Sequence, residues 1–500
     1  MPRGIVRVYP ASGATAMLPL TPANNYTPTI IFCGGSDMPE YSYGDYRFPY
    51  AETWNIPTSQ DCQRITPEPK DGSAPAYEQD DNMLEGRTMG QFIILPDGKL
   101  LVVNGALNGT AGYSSNGTLV TPPAQMPLGQ SLASGPVGTP AIYDPTAPRG
   151  SRWSNEGFSN SPIPRLYHSS AILLPDASVL IAGSNPNADV NTSAFFPTTY
   201  EAEIFYPPYF SATTRPAPTG MPKTLTYGGS SFNITIPATS YAGSSDHAAD
   251  ATTVVLMRGG FTTHAMNMGQ RHLQLNSTST VNDDGSITLH VAQVPPNPNI
   301  FQPGPAFIFV NIKGIPSNGS YLIVGNGQIG TQPTFPASVL PDNVRVASAT
   351  GSAWTTGAND ATGTGGTKKT SLGLIIGPIA GGLALIVLVW TIISVRLARR
   401  RAAARLVPPS SYNTELPGPD VLSAPVMIVP QEMRLAHSGG FSPLALNIEN
   451  DAWILNAVNF AEPYTGSSRT SSYHTTHSNA SSFFFPEADR PVYAGPQHRF

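Results

Sequence analysis

A unit of strand, proline-containing turn, strand and glycine occurs three times in the first 200 residues, and no other feature constrains the fold as much. Its turns contain Pro19, Pro96 and Pro175, so the repeat lengths are 77 and 79 residues. A third strand is predicted after the second and third units, at residues 140–145 and 202–207. This pattern is typical of kelch-type propeller blades, which are small sheets arranged around a central axis.

The chain is therefore predicted to be all-β, with a partial kelch-type β-propeller over residues 1–214. The repeat is longer than a kelch blade of about fifty residues, and the excess lies in loops such as 37–85 and 107–139. An ordinary β-sandwich is the alternative, but the repeated turn and terminal glycine favour the propeller. Three units cannot close a ring that needs at least four blades. With no signal sequence at the N-terminus, this leads us to expect that upstream sequence is missing.

The composition changes at residues 215–218, and four further segments follow. Short β-rich runs separated by turn residues predict an immunoglobulin-like sandwich over residues 215–335. Residues 336–370, rich in Ser, Thr, Gly and Ala for most of their length, are predicted to be a flexible stalk. Residues 371–395 carry no charge and are long enough to form a transmembrane helix. Residues 396–500 show little periodicity and are predicted to be a disordered tail.

The charges around the apolar segment predict a single-pass protein of the plasma membrane or cell surface. Five arginines follow the segment within ten residues, against two lysines just before it, so we expect a cytoplasmic C-terminal tail. The large N-terminal part would then be extracellular. The net charge of −5 gives no reason to expect a nucleic-acid partner. Seven N-glycosylation sequons before residue 330 agree with an extracellular location of that part: Asn25, Asn108, Asn116, Asn191, Asn233, Asn276 and Asn318.

The two cysteines of the chain are Cys33 and Cys62. In an oxidising compartment they are predicted to form a disulfide, which closes a loop of about 29 residues and contributes roughly 3–4 kcal/mol in the chain-entropy model. Two buried free thiols are the alternative.

A phenol and an imidazole are adjacent at Tyr167 and His168, directly before a predicted strand. A further histidine, His264, follows the sandwich strand at residues 254–257. Two neutral imidazoles and one phenolate form a tetragonal nitrogen and oxygen ligand set, which suits Cu(II) better than Zn²⁺ or Mg²⁺. The sequence therefore predicts a site for one copper ion, made by Tyr167, His168 and His264.

Three stretches carry a resemblance to a known family: Glu85-Gly86-Arg87-Thr88-Met89-Gly90, the Arg-Leu-Tyr-His-Ser-Ser run at 165–170 and the Gly-Phe-Thr-Thr-His-Ala-Met-Asn-Met-Gly-Gln-Arg run at 260–271. Together they resemble the fungal glyoxal oxidases, which are copper radical oxidases related to galactose oxidase. The similarity extends from residue 4 to about residue 333. It implies the C-terminal blades of a seven-bladed propeller, followed by an early-set sandwich whose loop brings a histidine to the propeller axis.

The resemblance also implies roles for individual residues. Tyr167 matches the axial tyrosine, which acts as a catalytic base, and His168 and His264 match the two equatorial imidazoles. The implied activity is oxidation of small aldehydes to carboxylic acids, with O₂ reduced to H₂O₂. The family's radical cofactor, a tyrosine cross-linked to a cysteine, has no counterpart here. The chain as given is therefore predicted to be inactive.

Alternatives remain for the site and for the function. A Tyr-His pair at the start of a strand is often structural, and His272 could share a face with His264 in a zinc site. His272 is nevertheless expected to be a surface histidine, and His247 and His290 have no potential ligands around them. For the function, the alternative to a membrane-anchored oxidase is a truncated, non-catalytic surface module that binds wall glycans or a partner protein.

Overall fold

The computed structural model describes residues 4–38, 48–263, 266–346 and 438–444. These residues form an almost purely β structure, and the one α-helix in these ranges is α1, Ser245–Asp250. The strands of the first part of the chain are β1 Ile5–Val6, β2 Ala14–Met17, β3 Ile30–Cys33, β4 Ser36–Asp37, β5 Cys62–Ile65, β6 Tyr77–Gln79, β7 Gln91–Ile94, β8 Leu100–Val103, β9 Ala106–Tyr113, β10 Ser131–Pro136, β11 Ala141–Tyr143, β12 Trp153–Ser154, β13 Ser170–Leu173, β14 Val179–Ser184 and β15 Thr199–Phe205.

The second part of the chain continues in the same all-β class. Its strands are β16 Thr224–Leu225, β17 Tyr227–Gly229, β18 Phe232–Ile236, β19 Thr252–Arg258, β20 Phe261–Thr263, β21 Met266–Met268, β22 Arg271–Leu275, β23 Ser277–Val281, β24 Ile287–Val291, β25 Gly304–Ile312, β26 Ile315–Pro316, β27 Ser320–Val324 and β28 Thr334–Ala337. One more strand, β29 Phe441–Leu444, follows far along the chain.

Three four-stranded antiparallel sheets account for the repeat found in the sequence. Their strand orders are β2-β3-β5-β6, β7-β8-β11-β12 and β13-β14-β15-β29. The first two strands of each sheet are those predicted on either side of the proline-containing turns. Each sheet has the up-and-down order of a propeller blade. The described residues do not close a propeller ring, so the predicted propeller is represented by these three sheets alone.

The pattern of burial shows how the three sheets pack. Strand β7, at the inner edge of the second sheet, contacts both β2 and β13, the inner strands of its neighbours. Every residue of β7 and β8 is buried, as expected for a sheet covered on both faces, and apart from Gln91 these strands are apolar. In β2 buried and half-buried residues alternate, as expected when one face alone is fully covered. The second sheet therefore lies between the other two.

Polar strands occupy regions that the sequence predicted to be loops. The segment 37–85 contributes β5 and β6 to the first sheet, and the segment 107–139 contributes most of the two-stranded ribbon β9–β10. The prediction missed them because their residues are mixed: β5 contains Gln63 and Arg64, and every residue of β6 is exposed. Cys33 and Cys62 are directly opposite on β3 and β5, and the structure joins them in a disulfide.

The second domain is a sandwich with an apolar core between its sheets. One sheet has the order β16-β27-β25-β19-β22, with β26 added to β25, and the other has the order β18-β24-β23. The sandwich strand predicted at residues 254–257 is confirmed as part of β19. Side chains from both sheets form one core, including Ile234, Leu256, Leu289 and Ile308.

All three proline-containing turns of the repeat contact the second domain. Leu20 pairs with β22, because its N–H donates to the carbonyl of His272 at 3.0 Å. The carbonyl of Pro96 accepts from Asn311 Nδ2 at 2.8 Å. The carbonyl of Pro175 accepts from Gly319 N at 2.8 Å. The turns therefore dock the sandwich at one end of the three sheets.

Strand β29 differs from the expectation of an unstructured tail over residues 396–500. It completes the third sheet by pairing antiparallel with β15, and the ring of Phe441 packs against Phe205 with centroids 5.3 Å apart. No sequence-local pattern could predict this pairing, because the two strands are more than 200 residues apart. The predicted transmembrane segment 371–395 lies outside the described residues, and no helix within those residues is long and apolar enough to cross a membrane.

Candidate active site

The segment before the Tyr-His pair is held by a buried arginine. Arg165 forms an ion pair with Glu203, with 2.9 Å between Nη2 and Oε2, and both side chains are buried. Its Nη1 donates to the carbonyls of Gly183 at 3.0 Å and Glu201 at 2.8 Å. The hydroxyl of Ser161 donates to the Glu203 carboxylate at 2.8 Å. These bonds hold the turn before β13 against strands β14 and β15. They therefore fix the position of the backbone that leads into Tyr167 and His168.

Tyr167 lies in a small apolar cluster at the end of the sheets where the inner strands begin. Its side chain is 5% exposed and packs with Met89, Leu166 and Phe196. Its carbonyl accepts a hydrogen bond from Asn185 N at 2.7 Å. Met89 precedes β7 and Leu166 precedes β13, so the phenol is held between two neighbouring sheets.

His168 is exposed and adopts a left-handed backbone conformation, with φ of +66°. A non-glycine residue in this region is uncommon, and such residues are concentrated at functional sites. The conformation belongs to a turn in which Ser169 N donates to the carbonyl of Leu166 at 3.1 Å. It stacks the imidazole on the Tyr167 ring, with centroids 3.8 Å apart and 29° between planes. The pair therefore presents a phenol and an imidazole side by side at the start of β13.

Two further phenol rings surround Tyr167. The Tyr9 ring centroid is 6.4 Å from that of Tyr167, and their hydroxyl oxygens are 3.4 Å apart. The Tyr113 ring, at the end of β9, is 6.3 Å from Tyr167. Neither residue stands out in the sequence as a neighbour of Tyr167, because they lie 158 and 54 positions before it. The one local feature of the sequence that marks Tyr9 is its position directly before Pro10.

The hairpin β20–β21 of the second domain lies along the inner strands of all three sheets. Strand β20 contacts β13, and β21 contacts β2 and β7. Gln270, just after the hairpin, pairs with the open edge of β7. Its Oε1 accepts from Ile94 N at 3.0 Å, and its Nε2 donates to the Phe92 carbonyl at 2.7 Å. The amide thus replaces the hydrogen bonds that a neighbouring strand would make.

Asn267 carries this contact further along the same edges. Its Nδ2 lies 3.3 Å from the Ala171 carbonyl on β13 and 3.4 Å from that of Phe92 on β7. From Gln270 to Asn267 the contacts therefore move toward the ends of β7 and β13 where Tyr167 lies. A Cβ on Gly260 would lie 2.0 Å from Asn267 Oδ1 and 2.7 Å from Gln270 Cγ, so a side chain there would displace both amides. The predicted ligand His264, with Ala265, lies outside the described residues.

The remaining histidines are not part of this arrangement. His272 is buried on β22 and bonds to the Pro96 carbonyl at 3.2 Å, and burial lowers its pKa to about 4. The expectation of a surface histidine was wrong, because β22 lies in the interface between the domains. His290 bonds to Asn233 and Thr280, and His247 is exposed on α1.

The donor groups of Tyr167 and His168 suit a copper ion. In the part of the chain that the structure describes, no three His, Cys, Asp or Glu side chains are grouped so that they could hold a metal ion. A stacked phenol and imidazole instead supply one oxygen and one nitrogen donor, a pair that suits Cu(II). Nearby in the chain, Ser169 Oγ and, at the start of β7, Gln91 Oε1 are buried without a hydrogen-bond partner among the described residues.

Family models match both domains of the chain. Residues 1–209 match the model described as "Glyoxal oxidase N-terminus", and residues 215–324 match "Galactose oxidase-like, Early set domain". The boundary between the two matches lies within a few residues of the composition change at residues 215–218.

Three similar proteins are named as aldehyde oxidases. "Putative aldehyde oxidase Art an 7" of Artemisia annua is 34% identical over 63% of this chain and 49% of its own length. "Aldehyde oxidase GLOX1" of Arabidopsis thaliana is 30% identical over 64% and 48%, and "Aldehyde oxidase GLOX" of Vitis pseudoreticulata is 32% identical over 62% and 53%. The chain thus spans about half the length of these relatives. All three are plant proteins, whereas the predicted resemblance was to fungal enzymes.

Proposed function

This chain belongs to the copper radical oxidase family, with a glyoxal oxidase N-terminal domain followed by a galactose oxidase-like early-set domain, and we propose that it forms the copper-binding part of an aldehyde oxidase. The reaction is oxidation of a hydrated aldehyde, RCH(OH)₂ + O₂ → RCOOH + H₂O₂. The names of the three plant relatives support an aldehyde as the substrate.

The observation that carries this proposal is the stacked pair of Tyr167 and His168 at the start of an inner strand, toward which the β20–β21 hairpin extends. Tyr167, His168 and His264 are the residues that would hold the copper ion. When bound, copper supplies a positive charge beside the phenol and accepts one of the two electrons that the substrate loses. A buried phenol and an exposed imidazole leave one side of the pair accessible to a small substrate.

The phenol oxygen of Tyr167 accepts the proton of the substrate hydroxyl in this proposal. A cation beside a phenol stabilises its deprotonated form, so that the oxygen can act as a general base near neutral pH. The apolar cluster around the ring excludes water from its buried side and limits the ring to one orientation. His168 fixes that orientation further, because its imidazole stacks on the phenol.

Copper content provides the test. The full chain should bind one Cu(II) ion, and His168→Ala or His264→Ala should lose most of it, because each removes one imidazole that would hold the ion. His247→Ala is the matched control, since His247 is an exposed histidine on α1. Full retention of copper by His264→Ala would contradict the assignment.

A radical partner for the copper requires a thiol that these residues do not supply. Both cysteines of the chain are joined in the Cys33–Cys62 disulfide, so neither is available for a Cys-Tyr cross-link. We therefore propose that the 500 residues as given bind copper without oxidising aldehydes. A non-catalytic surface module, binding glycans or a protein, is the alternative if copper also fails to bind.

The location of the protein is part of the proposal. The seven sequons before residue 330 and the arginines after residue 395 support a cell-surface protein anchored by residues 371–395. Pairing of β29 with β15 requires both strands to lie on one side of the membrane, whereas a single crossing would separate them. A glycosylation sequon introduced near residue 450 tests which arrangement holds. It should remain unmodified if residues 371–395 cross the membrane once, and it should be glycosylated if β29 lies on the same side of the membrane as β15.

A further inference from the structure

We propose that Tyr9 is a positioning residue of the active site, which holds the phenol oxygen of Tyr167 through a hydrogen bond between the two hydroxyls. This inference rests on the proposed function, because it assumes that Tyr167 is a copper ligand. Neither the predicted ligand set nor the motifs in the sequence include Tyr9. The inference adds to the proposed function the group that orients the catalytic base.

The geometry places one hydroxyl against the other. The oxygens of Tyr9 and Tyr167 are 3.4 Å apart, and the ring planes are tilted by 40°. This separation is long for a hydrogen bond between two neutral hydroxyls, whereas a bond from a hydroxyl to an anionic oxygen is about 2.5–2.7 Å. A phenolate bound to a cation can only accept, so Tyr9 is the donor. We therefore expect the contact to shorten when copper binds.

The loop that carries Tyr9 is itself firmly held. The next three residues along the chain each have their carbonyl oxygen bonded to another segment, so the backbone around Tyr9 has little freedom to move. The three bonds are from Ala111 N to Pro10 O at 2.7 Å, from Thr88 Oγ1 to Ala11 O at 2.8 Å and from Met89 N to Ser12 O at 2.8 Å. Two of the donors, Thr88 and Met89, immediately precede Gly90 and the inner strand β7, so the loop is fixed to the same sheets as the site.

Tyr113 provides an internal comparison. Its ring packs on Tyr167 at nearly the same centroid distance, 6.3 Å against 6.4 Å for Tyr9. Its hydroxyl, however, makes no hydrogen bond to Tyr167 in the described structure, whereas that of Tyr9 does. If packing alone positioned Tyr167, the two rings would matter equally. If the hydroxyl contact positions it, only Tyr9 is sensitive to loss of the oxygen.

The test compares Tyr9→Phe with Tyr113→Phe in the full chain titrated with Cu(II). A hydrogen bond donated to a ligand oxygen lowers the energy of its lone pairs, so removing the donor should shift the phenolate-to-copper absorption band to longer wavelength. We expect this shift in Tyr9→Phe, together with copper affinity about tenfold weaker, as is common when a partner of a metal ligand is removed. Tyr113→Phe should retain the wild-type band and affinity. Thermal unfolding of the copper-free proteins controls for folding, and both variants should match the wild type closely.

Each outcome decides a different point. A wild-type band in Tyr9→Phe, or an equal shift in Tyr9→Phe and Tyr113→Phe, would overturn the role of the hydroxyl. A shift in Tyr9→Phe alone supports it. Tyr167→Phe should abolish the band. If it does not, Tyr167 is not a ligand, and the proposed function fails instead of this inference.

Discussion

Replacement of Glu203 by glutamine should destabilise the protein and loosen the Tyr-His pair. Glu203 is the sole carboxylate that forms an ion pair with Arg165 in the described structure, and both groups are buried. Its carboxylate also accepts from the hydroxyl of Ser161, which lies 2.8 Å from Oε2 and 3.0 Å from Oε1. Glutamine preserves the shape of the side chain but leaves the positive charge of Arg165 buried without a counter-charge.

The size of the effect follows from the burial of the pair. The side chains of Arg165 and Glu203 are 3% and 7% exposed, so water cannot solvate the Arg165 guanidinium in place of the lost carboxylate. Removing one partner of a buried ion pair typically costs about 3–5 kcal/mol. For domains of this size each kcal/mol lowers the unfolding temperature by about 2–4 °C, which gives a decrease of about 6–20 °C.

Glu201→Gln is the matched control, because Glu201 lies two residues away on the same strand and its side chain is exposed. Urea unfolding should place it within about 0.5 kcal/mol of the wild type, as is usual for surface substitutions. Copper titration of the folded proteins should show weaker binding to Glu203→Gln alone. Equal stability of the two variants would refute the reasoning that the buried pair anchors the site.

Three further predictions concern the disulfide, pH and activity. Replacing Cys33 and Cys62 together with serine should lower the free energy of unfolding by about 3–4 kcal/mol, measured by urea unfolding, and a reducing agent should then have no further effect. His272, whose pKa burial lowers to about 4, stays neutral in the folded protein, so its contribution is fully present above pH 6.5. That contribution, about 3 kcal/mol, is lost as the pH falls toward 4. His272→Gln should remove this pH-dependent loss of stability. Burial raises the pKa of Asp97 to about 6, which gives the opposite pH dependence. Because Asp97 is present in both proteins, the difference in stability between wild type and His272→Gln reports on His272 alone. Glyoxal and methylglyoxal should yield no peroxide with the copper-loaded chain as given, and turnover comparable to that of a longer form with a Cys-Tyr pair would contradict this.

The parts of the fold that the sequence predicted are those with local and apolar signals. Apart from Gln91 at the start of β7, strands β7 and β8 are apolar on either side of Pro96, and they are buried throughout. Strand β6 is exposed throughout, so no apolar alternation indicated it. Strand β29 pairs with a strand more than 200 residues earlier, and its place could not follow from its own residues.

The candidate site was predictable only in part for the same reason. Adjacent residues such as Tyr167 and His168 are visible as a motif, and their ligand chemistry follows from residue type. The left-handed conformation of His168 and the contact from Tyr9 depend on tertiary packing. Gln270 reads as an ordinary polar residue, and its role appears only when its amide is seen to pair with the edge of β7.

The most direct test of a copper site formed by Tyr167, His168 and His264 is the electron paramagnetic resonance spectrum of Cu(II) bound to the full chain. Two imidazole ligands should produce hyperfine splitting from two nitrogen nuclei. In the copper that they still bind, His168→Ala and His264→Ala should each show splitting from one nitrogen, while His247→Ala leaves the wild-type splitting unchanged. Splitting from two nitrogens that persists in both His168→Ala and His264→Ala would contradict the assignment of the copper site.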